Sequence, residues 1–100
     1  MATFPFRFTA ELWLYEGDAA WYFVSLPEDL SDDIDAQYGH AARGFGSQKV
    51  EVRVGTTTWS TSVFPSKKEA TFILPMKKAV RVAEHLEPGA PVTVHLRVIS

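Results

Sequence analysis

The sequence predicts a single, mainly β domain over residues 1–100: a small closed barrel of about six strands, capped by two short α-helices. Three observations predict it. Apolar and polar residues alternate through most of the chain, which is the period of a half-buried strand. Two segments break that rhythm with apolar residues three and four apart, and each is led by a proline. Six strands left in one open sheet would expose two long apolar edges, which closure removes. A chain of 100 residues builds one core and does not divide into two.

In FPFRFTAELWLY, Phe4, Phe6, Phe8, Ala10, Leu12 and Leu14 share one parity. This predicts the first strand, with Trp13 and Tyr15 giving its far end apolar side chains on both faces. Gly17 and Asp18 break the chain, and AWYFVSL returns as the second strand. PEDLSDDIDAQYG then reads as a helix. Leu30, Ile34 and Tyr38 form its apolar stripe, Pro27 suits its first position, and Gly39 suits its close. Glu28 and Asp29 meet the positive end of the helix dipole.

KVEVRVGTTTWSTSVF reads as a hairpin, in which Val50, Val52 and Val54 alternate with Glu51 and Arg53. Gly55-Thr56 suits a two-residue type II′ turn. EATFIL is the next strand. PMKKAVRVAEHLEPG predicts a second helix with Met76, Ala79, Val80, Ala83 and Leu86 facing inward. Pro75 opens it, and Pro88-Gly89 follows it. On that face assignment Lys77, Lys78 and Arg81 point to water, and Arg81 pairs with Glu84. In PVTVHLRV, Val92, Val94, Leu96 and Val98 point one way, and Thr93, His95 and Arg97 the other.

These pieces contain an echo. Strand, Leu26-Pro27, helix and valine-rich strand are followed by strand, Leu74-Pro75, helix and valine-rich strand. The two Leu-Pro steps lie 75 − 27 = 48 residues apart. The expected arrangement is a pseudo-two-fold pair of units in one barrel, complete within a single chain: a monomer or a weak dimer.

Composition narrows the function. The net charge of −2 argues against a dedicated polyanion binder. Residues 1–50 hold eight acids and three bases, 3 − 8 = −5, and residues 51–100 hold seven bases and four acids, 7 − 4 = +3. Such asymmetry can orient a partner or promote self-association, and the alternative reading is solvated surface charge that segregates along the chain. There is no cysteine, so disulfides, a thiolate nucleophile and sulfur-ligated metal are excluded. MATFPFRFTAEL alternates instead of reading as a secretory signal, and no apolar run has membrane-spanning length. The expectation is a cytoplasmic protein with no membrane partner.

Catalytic chemistry is sparse. His40, His85 and His95 form neither H-x-H nor H-E-x-x-H, so no metal site is expected. Asp29, Asp32, Asp33 and Asp35 fail the EF-hand test, because a loop starting at Asp33 needs glycine where Tyr38 stands. Gly44-Phe45-Gly46 precedes a strand, whereas phosphate-cradling glycines precede a helix. No cofactor and no catalytic residues are assigned. Two candidate binding features remain. Thr58, Trp59, Ser60 and Ser62 lie on a strand with hydroxyls on both faces, which reads first as an edge-facing or split strand satisfied by backbone and water and second as a candidate polar cleft beside Trp59, Trp13 or Trp21 for a small ligand. Lys67, Lys68, Lys77, Lys78 and Arg81 are a candidate anion or nucleic-acid patch if the turn folds beside the second helix. The reading is a binding or accessory module for an unknown small ligand or protein, with nucleic-acid binding as the alternative and an unrecognised enzyme third.

The chain also resembles a known family. Trp59, Thr61-Ser62, Pro65, Leu74-Pro75, the Lys77-Lys78-Ala79-Val80-Arg81 run and the Pro-Gly turn before the last strand are similar to the bacterial domain of unknown function family nineteen-oh-five. Trp21-Tyr22-Phe23-Val24 and Leu26-Pro27 extend the similarity over nearly the whole chain. The resemblance implies a double-split β-barrel like that of the AbrB, MazE and MraZ DNA-binding proteins. It implies no activity, so no functional residue is carried over. Ala90 stands where the family usually has Asp.

Overall fold

The computed structural model describes residues 3–17, 21–39 and 46–99. Asp18, His40, Gly44 and Phe45 lie outside them. The fold is mainly β, with β1 (Phe6–Glu11), β2 (Trp13–Tyr15), β3 (Trp21–Ser25), β4 (Gln48–Val54), β5 (Thr57–Ser66), β6 (Thr71–Pro75) and β7 (Pro91–Val98). Helix α1 (Glu28–Tyr38) follows β3, and α2 (Lys78–Ala83) follows β6. The strands form one antiparallel sheet in the order β1-β7-β4-β5-β6-β3-β2. This is a curled half-barrel of seven strands, and it corrects the expected closed barrel of six.

The correction has a local cause at Leu12. The expected single N-terminal strand is two. Leu12 donates its N–H to Ala90 O at 3.0 Å and accepts the Gly89 N–H at 2.7 Å. These bonds hold the chain against the approach to β7. One residue later it pairs with β3 instead, as Trp13↔Phe23. The two outer strands of the sheet are therefore consecutive in sequence, and no ladder joins them side by side. The side-chain parity changes at the same place: Phe6, Phe8 and Leu12 are buried, whereas Leu14, expected inward, is exposed. The turn that holds Leu12 closes through Ala90 N–H to Glu87 O at 2.9 Å.

The core lies in the concavity, where Phe6, Phe8, Val50, Val52, Val54, Trp59, Val63, Phe72, Leu74, Val92, Val94 and Leu96 are buried from the strands. β3 and β6 pair around Val24↔Leu74, and β4 and β7 pair as Val52↔Leu96 and Arg53↔His95. Outside the β3–β6 ladder, Leu26 N–H meets Phe72 O at 3.0 Å and Met76 N–H meets Tyr22 O at 2.8 Å. The helices begin in matching fashion, with N-caps Pro27 (φ −56°, ψ 144°) and Lys77 (φ −65°, ψ 156°). These caps are 77 − 27 = 50 residues apart, so the 48-residue match of Leu-Pro steps is not the structural one. Pro75 ends β6 opposite Phe23 instead of opening a helix.

Helix α1 buries Ile34 and half-buries Leu30 and Tyr38, as the stripe predicts. The stripe missed buried Ser31, whose Oγ accepts the Phe72 N–H at 3.1 Å and fastens α1 to β6. Gly39 closes the helix in right-handed geometry (φ −56°), not left-handed. The last-turn carbonyl of Tyr38 accepts from Gln48 Nε2 at 2.9 Å instead.

Helix α2 is shorter than expected, at six residues. Met76 and Val80 are buried and Leu86 is half-buried, but Ala79 and Ala83 are exposed. The helix stops because His85 turns left-handed, φ 55°. Leu86 N–H then bonds Arg81 O at 2.8 Å and His85 N–H bonds Val82 O at 3.3 Å, the two bonds of a Schellman ending. Six residues make fewer than two turns, so one inward residue, Val80, suffices. The β4–β5 turn agrees with expectation: Gly55 has φ 58°, Thr56 does not share a positive φ, and Val54 faces Thr57.

Candidate functional site

The outer face of β2, β3, β6 and the end of β5 carries a cluster of aromatic side chains. Alternation puts Val24, Phe72 and Leu74 inside, so Trp13, Tyr15, Trp21, Phe23, Phe64 and Ile73 face outward. Trp21 stacks on Phe23 with centroids 6.3 Å apart and planes 11° from parallel. Trp13 lies tilted against Phe23 at 5.1 Å, and Tyr15 meets it edge-on at 6.3 Å. Trp13 Nε1 donates to Ser25 Oγ at 2.9 Å, and that hydroxyl donates to Glu69 Oε1 at 3.2 Å. The indole is thereby held in place, and its polar group is satisfied. Trp21 remains 53% exposed, Tyr15 49% and Phe64 41%.

Two grooves meet at this face. One, of about 350 Å³, is lined by Tyr15, Trp21, Phe23, Phe64, Ile73 and Pro75, almost wholly apolar. The other, of about 530 Å³, is lined by Trp21, Tyr22, Pro75 and Met76 together with the cations Lys77, Lys78 and Arg81. Trp21 and Pro75 belong to both. Both volumes are in the range of small-molecule pockets. Arg81 is built in: its guanidinium lies 3.8 Å from the Tyr22 ring centroid, and its Nε donates to Met76 O at 3.0 Å. It does not pair with Glu84, as expected from the i,i+3 spacing. Glu84 turns the other way and accepts from Thr57 Oγ1 at 2.6 Å.

The candidate polar strand is placed differently. Trp59 is buried opposite Val52. Thr58 and Ser60 are exposed, Ser62 is half-buried, and none of the four lines either groove. The five candidate cations divide. Lys67 and Lys68 sit in the turn between Ser66 and Thr71, whereas Lys77, Lys78 and Arg81 follow the other end of β6. A five-residue strand separates the groups by roughly 15 Å. Lys67 instead borders Ser31, Asp32 and Asp35 of α1. Among the described residues, no three His, Asp or Glu side chains converge as metal ligands, and no helix is long and apolar enough to cross a membrane.

Sequence reading missed the aromatic face because Trp13, Tyr15, Trp21 and Phe23 alternate as a core strand does. The available signal was Trp13 and Tyr15 lying on the parity opposite to Phe6 and Phe8. Compared with known proteins, residues 8–96 match the family model described as a domain of unknown function, DUF1905. No curated protein matches the chain.

Proposed function

The chain belongs to the DUF1905 family, and on that premise we propose that it is a binding module whose ligand lies across Trp21. The ligand class that suits the face is a planar apolar body carrying an anionic group. One observation carries this reading: Trp21 borders both an apolar groove and one edged by Lys77, Lys78 and Arg81. Ring faces supply stacking, and the cations give the anion a fixed end. Arg81 is pre-positioned by Tyr22 and Met76, so little side-chain freedom is lost on binding.

We further read the chain as two strand–strand–helix–strand units about a pseudo-two-fold axis, β1/β2–β3–α1–β4 and β5–β6–α2–β7, in the manner of a double-split barrel. The reciprocal pairings of β3 with β6 and β4 with β7 support it. A single chain then supplies both units and is self-sufficient as a monomer.

The test is fluorescence titration with anilinonaphthalene sulfonate, which combines planar rings with one anion. Saturable one-to-one binding is expected, abolished by Trp21→Ala and weakened by the double change Lys77→Ala and Lys78→Ala, with unfolding midpoints retained. Light scattering across the titration separates this from self-association through the same face. Unchanged dye binding in Trp21→Ala, or binding that appears with dimer formation alone, would sink the proposal.

A further inference from the structure

The opposite half of the sheet carries a second, chemically different feature. The registers Arg7↔His95, His95↔Arg53 and Arg53↔Thr58 place four residues in one straight row across β1, β7, β4 and β5. All four point outward, because their strand neighbours Phe6, Phe8, Val94, Leu96, Val52, Val54 and Trp59 are buried. Residues directly opposite on antiparallel strands hold their Cβ atoms about 4.5–5.5 Å apart, and like charges there repel. This row places a guanidinium on each side of an imidazole.

Nothing on the sheet relieves that repulsion. Among the described residues, neither Arg7 nor Arg53 forms an ion pair. The carboxylate of the next row, Glu51, is committed to Arg97 at 2.8 Å. On the other side Thr9 and Thr93 share a hydrogen bond of 2.9 Å and bring no charge. Two of the row's side chains pack against Phe4. Phe4 stands edge-on to His95 at 6.4 Å, and the Arg53 guanidinium lies 5.7 Å from the same ring's centroid. Two permanent cations, a titratable third and the Thr58 hydroxyl thus lie side by side on one outward-facing row.

We propose that Arg7, His95, Arg53 and Thr58 form a binding site for the phosphate group of a small metabolite. A phosphate suits the row better than a carboxylate, since its three free oxygens can each take a charged donor while a carboxylate offers two. The site is independent of the aromatic face. Binding strengthens as His95 gains its proton. Facing it are Arg7 from β1, Arg53 and Glu51 from β4, and Thr93 and Arg97 on its own strand, with Phe4 alongside.

Histidine side-chain NMR provides the test, with inorganic phosphate as probe and sodium chloride at matched ionic strength as control. Phosphate should move the His95 signals saturably and raise the midpoint of its titration, while exposed His85 stays still. Arg53→Ala and Arg7→Ala should each weaken binding about ten-fold, the loss expected for one charge-assisted contact. Their amide spectra report whether the fold is retained. Trp21→Ala should bind phosphate normally, which separates this site from the aromatic one. Equal shifts with chloride, undiminished binding in folded arginine variants, or a response to a short single-stranded oligonucleotide but not to phosphate would each overturn the proposal.

Discussion

The guanidinium of Arg81 lies over Tyr22, 3.8 Å from the ring centroid, and its Nε donates to the carbonyl of Met76. One side chain of α2 thereby fastens the helix start to β3, and it does so at the edge of the groove that Trp21 borders. Arg81→Lys keeps the charge but loses the guanidinium's contact with the ring and the Nε bond. It is expected to cost about 1 kcal/mol, read as a lower denaturant midpoint with an unchanged slope. A variant as stable as the parent would show that the contact contributes nothing.

Among the described residues, two hold left-handed backbone without being glycine, Ala70 at φ 57° and His85 at φ 55°. A side chain costs roughly 1–2 kcal/mol there. Ala70→Gly and His85→Gly should therefore stabilise, each by about 0.5–1 kcal/mol after the greater freedom of glycine in the unfolded chain is set against it. Thermal unfolding of the single and double variants decides this, and additivity is expected because the turns are separate.

Gly55 is constrained twice. Its φ is 58°, and a Cβ there would run into the Glu84 carboxylate that Thr57 holds. Gly55→Ala should destabilise by more than about 1 kcal/mol. In a Glu84→Ala background the same change should cost less, since the steric part is gone. Equal costs in both backgrounds would mean that strain at φ alone matters.

His95 supplies the pH dependence. Desolvation first, then the Arg53 and Arg7 charges, lower its pKa from 6.5. The unfolded chain therefore takes up this proton more readily than the folded one, and stability rises with pH through this range. As pH falls below about 6.5, this contribution is lost progressively until the folded imidazole is also protonated. His95→Gln should flatten that limb of the stability profile, and Arg53→Ala should move the His95 midpoint upward by NMR. A midpoint unmoved by Arg53→Ala would remove the arginine's role.

Helix α2 depends on one inward residue. Val80→Ala should cost about 2 kcal/mol, whereas Val82→Lys, at a position 63% exposed, should change stability by less than about 0.5 kcal/mol. Comparable losses at both positions would contradict the observed packing.

Local chemistry made much of this fold legible. Period-two alternation marked Val50, Val52 and Val54, and Gly55-Thr56 announced its own turn. Helical spacing found Ile34 and Val80 but overstated α2, because Ala79 and Ala83 are as compatible with water as with a core. The binding features were harder to see. Thr58 and Ser60 drew notice for their hydroxyls, yet the grooves lie on another part of the sheet. The Arg7–His95–Arg53 row joins residues up to 95 − 7 = 88 positions apart, and no local pattern connects them.

By itself the sequence determined which stretches extend, which coil and which residues prefer the interior, since these follow from side-chain period, turn chemistry and propensity. Tertiary structure decided where Leu12 divides the N-terminal strand, which face of β3 the aromatic rings occupy and which cations become neighbours. The physical reason is register. A shift of one residue in a strand pairing reverses every side chain it carries, and that choice is made by the whole sheet at once.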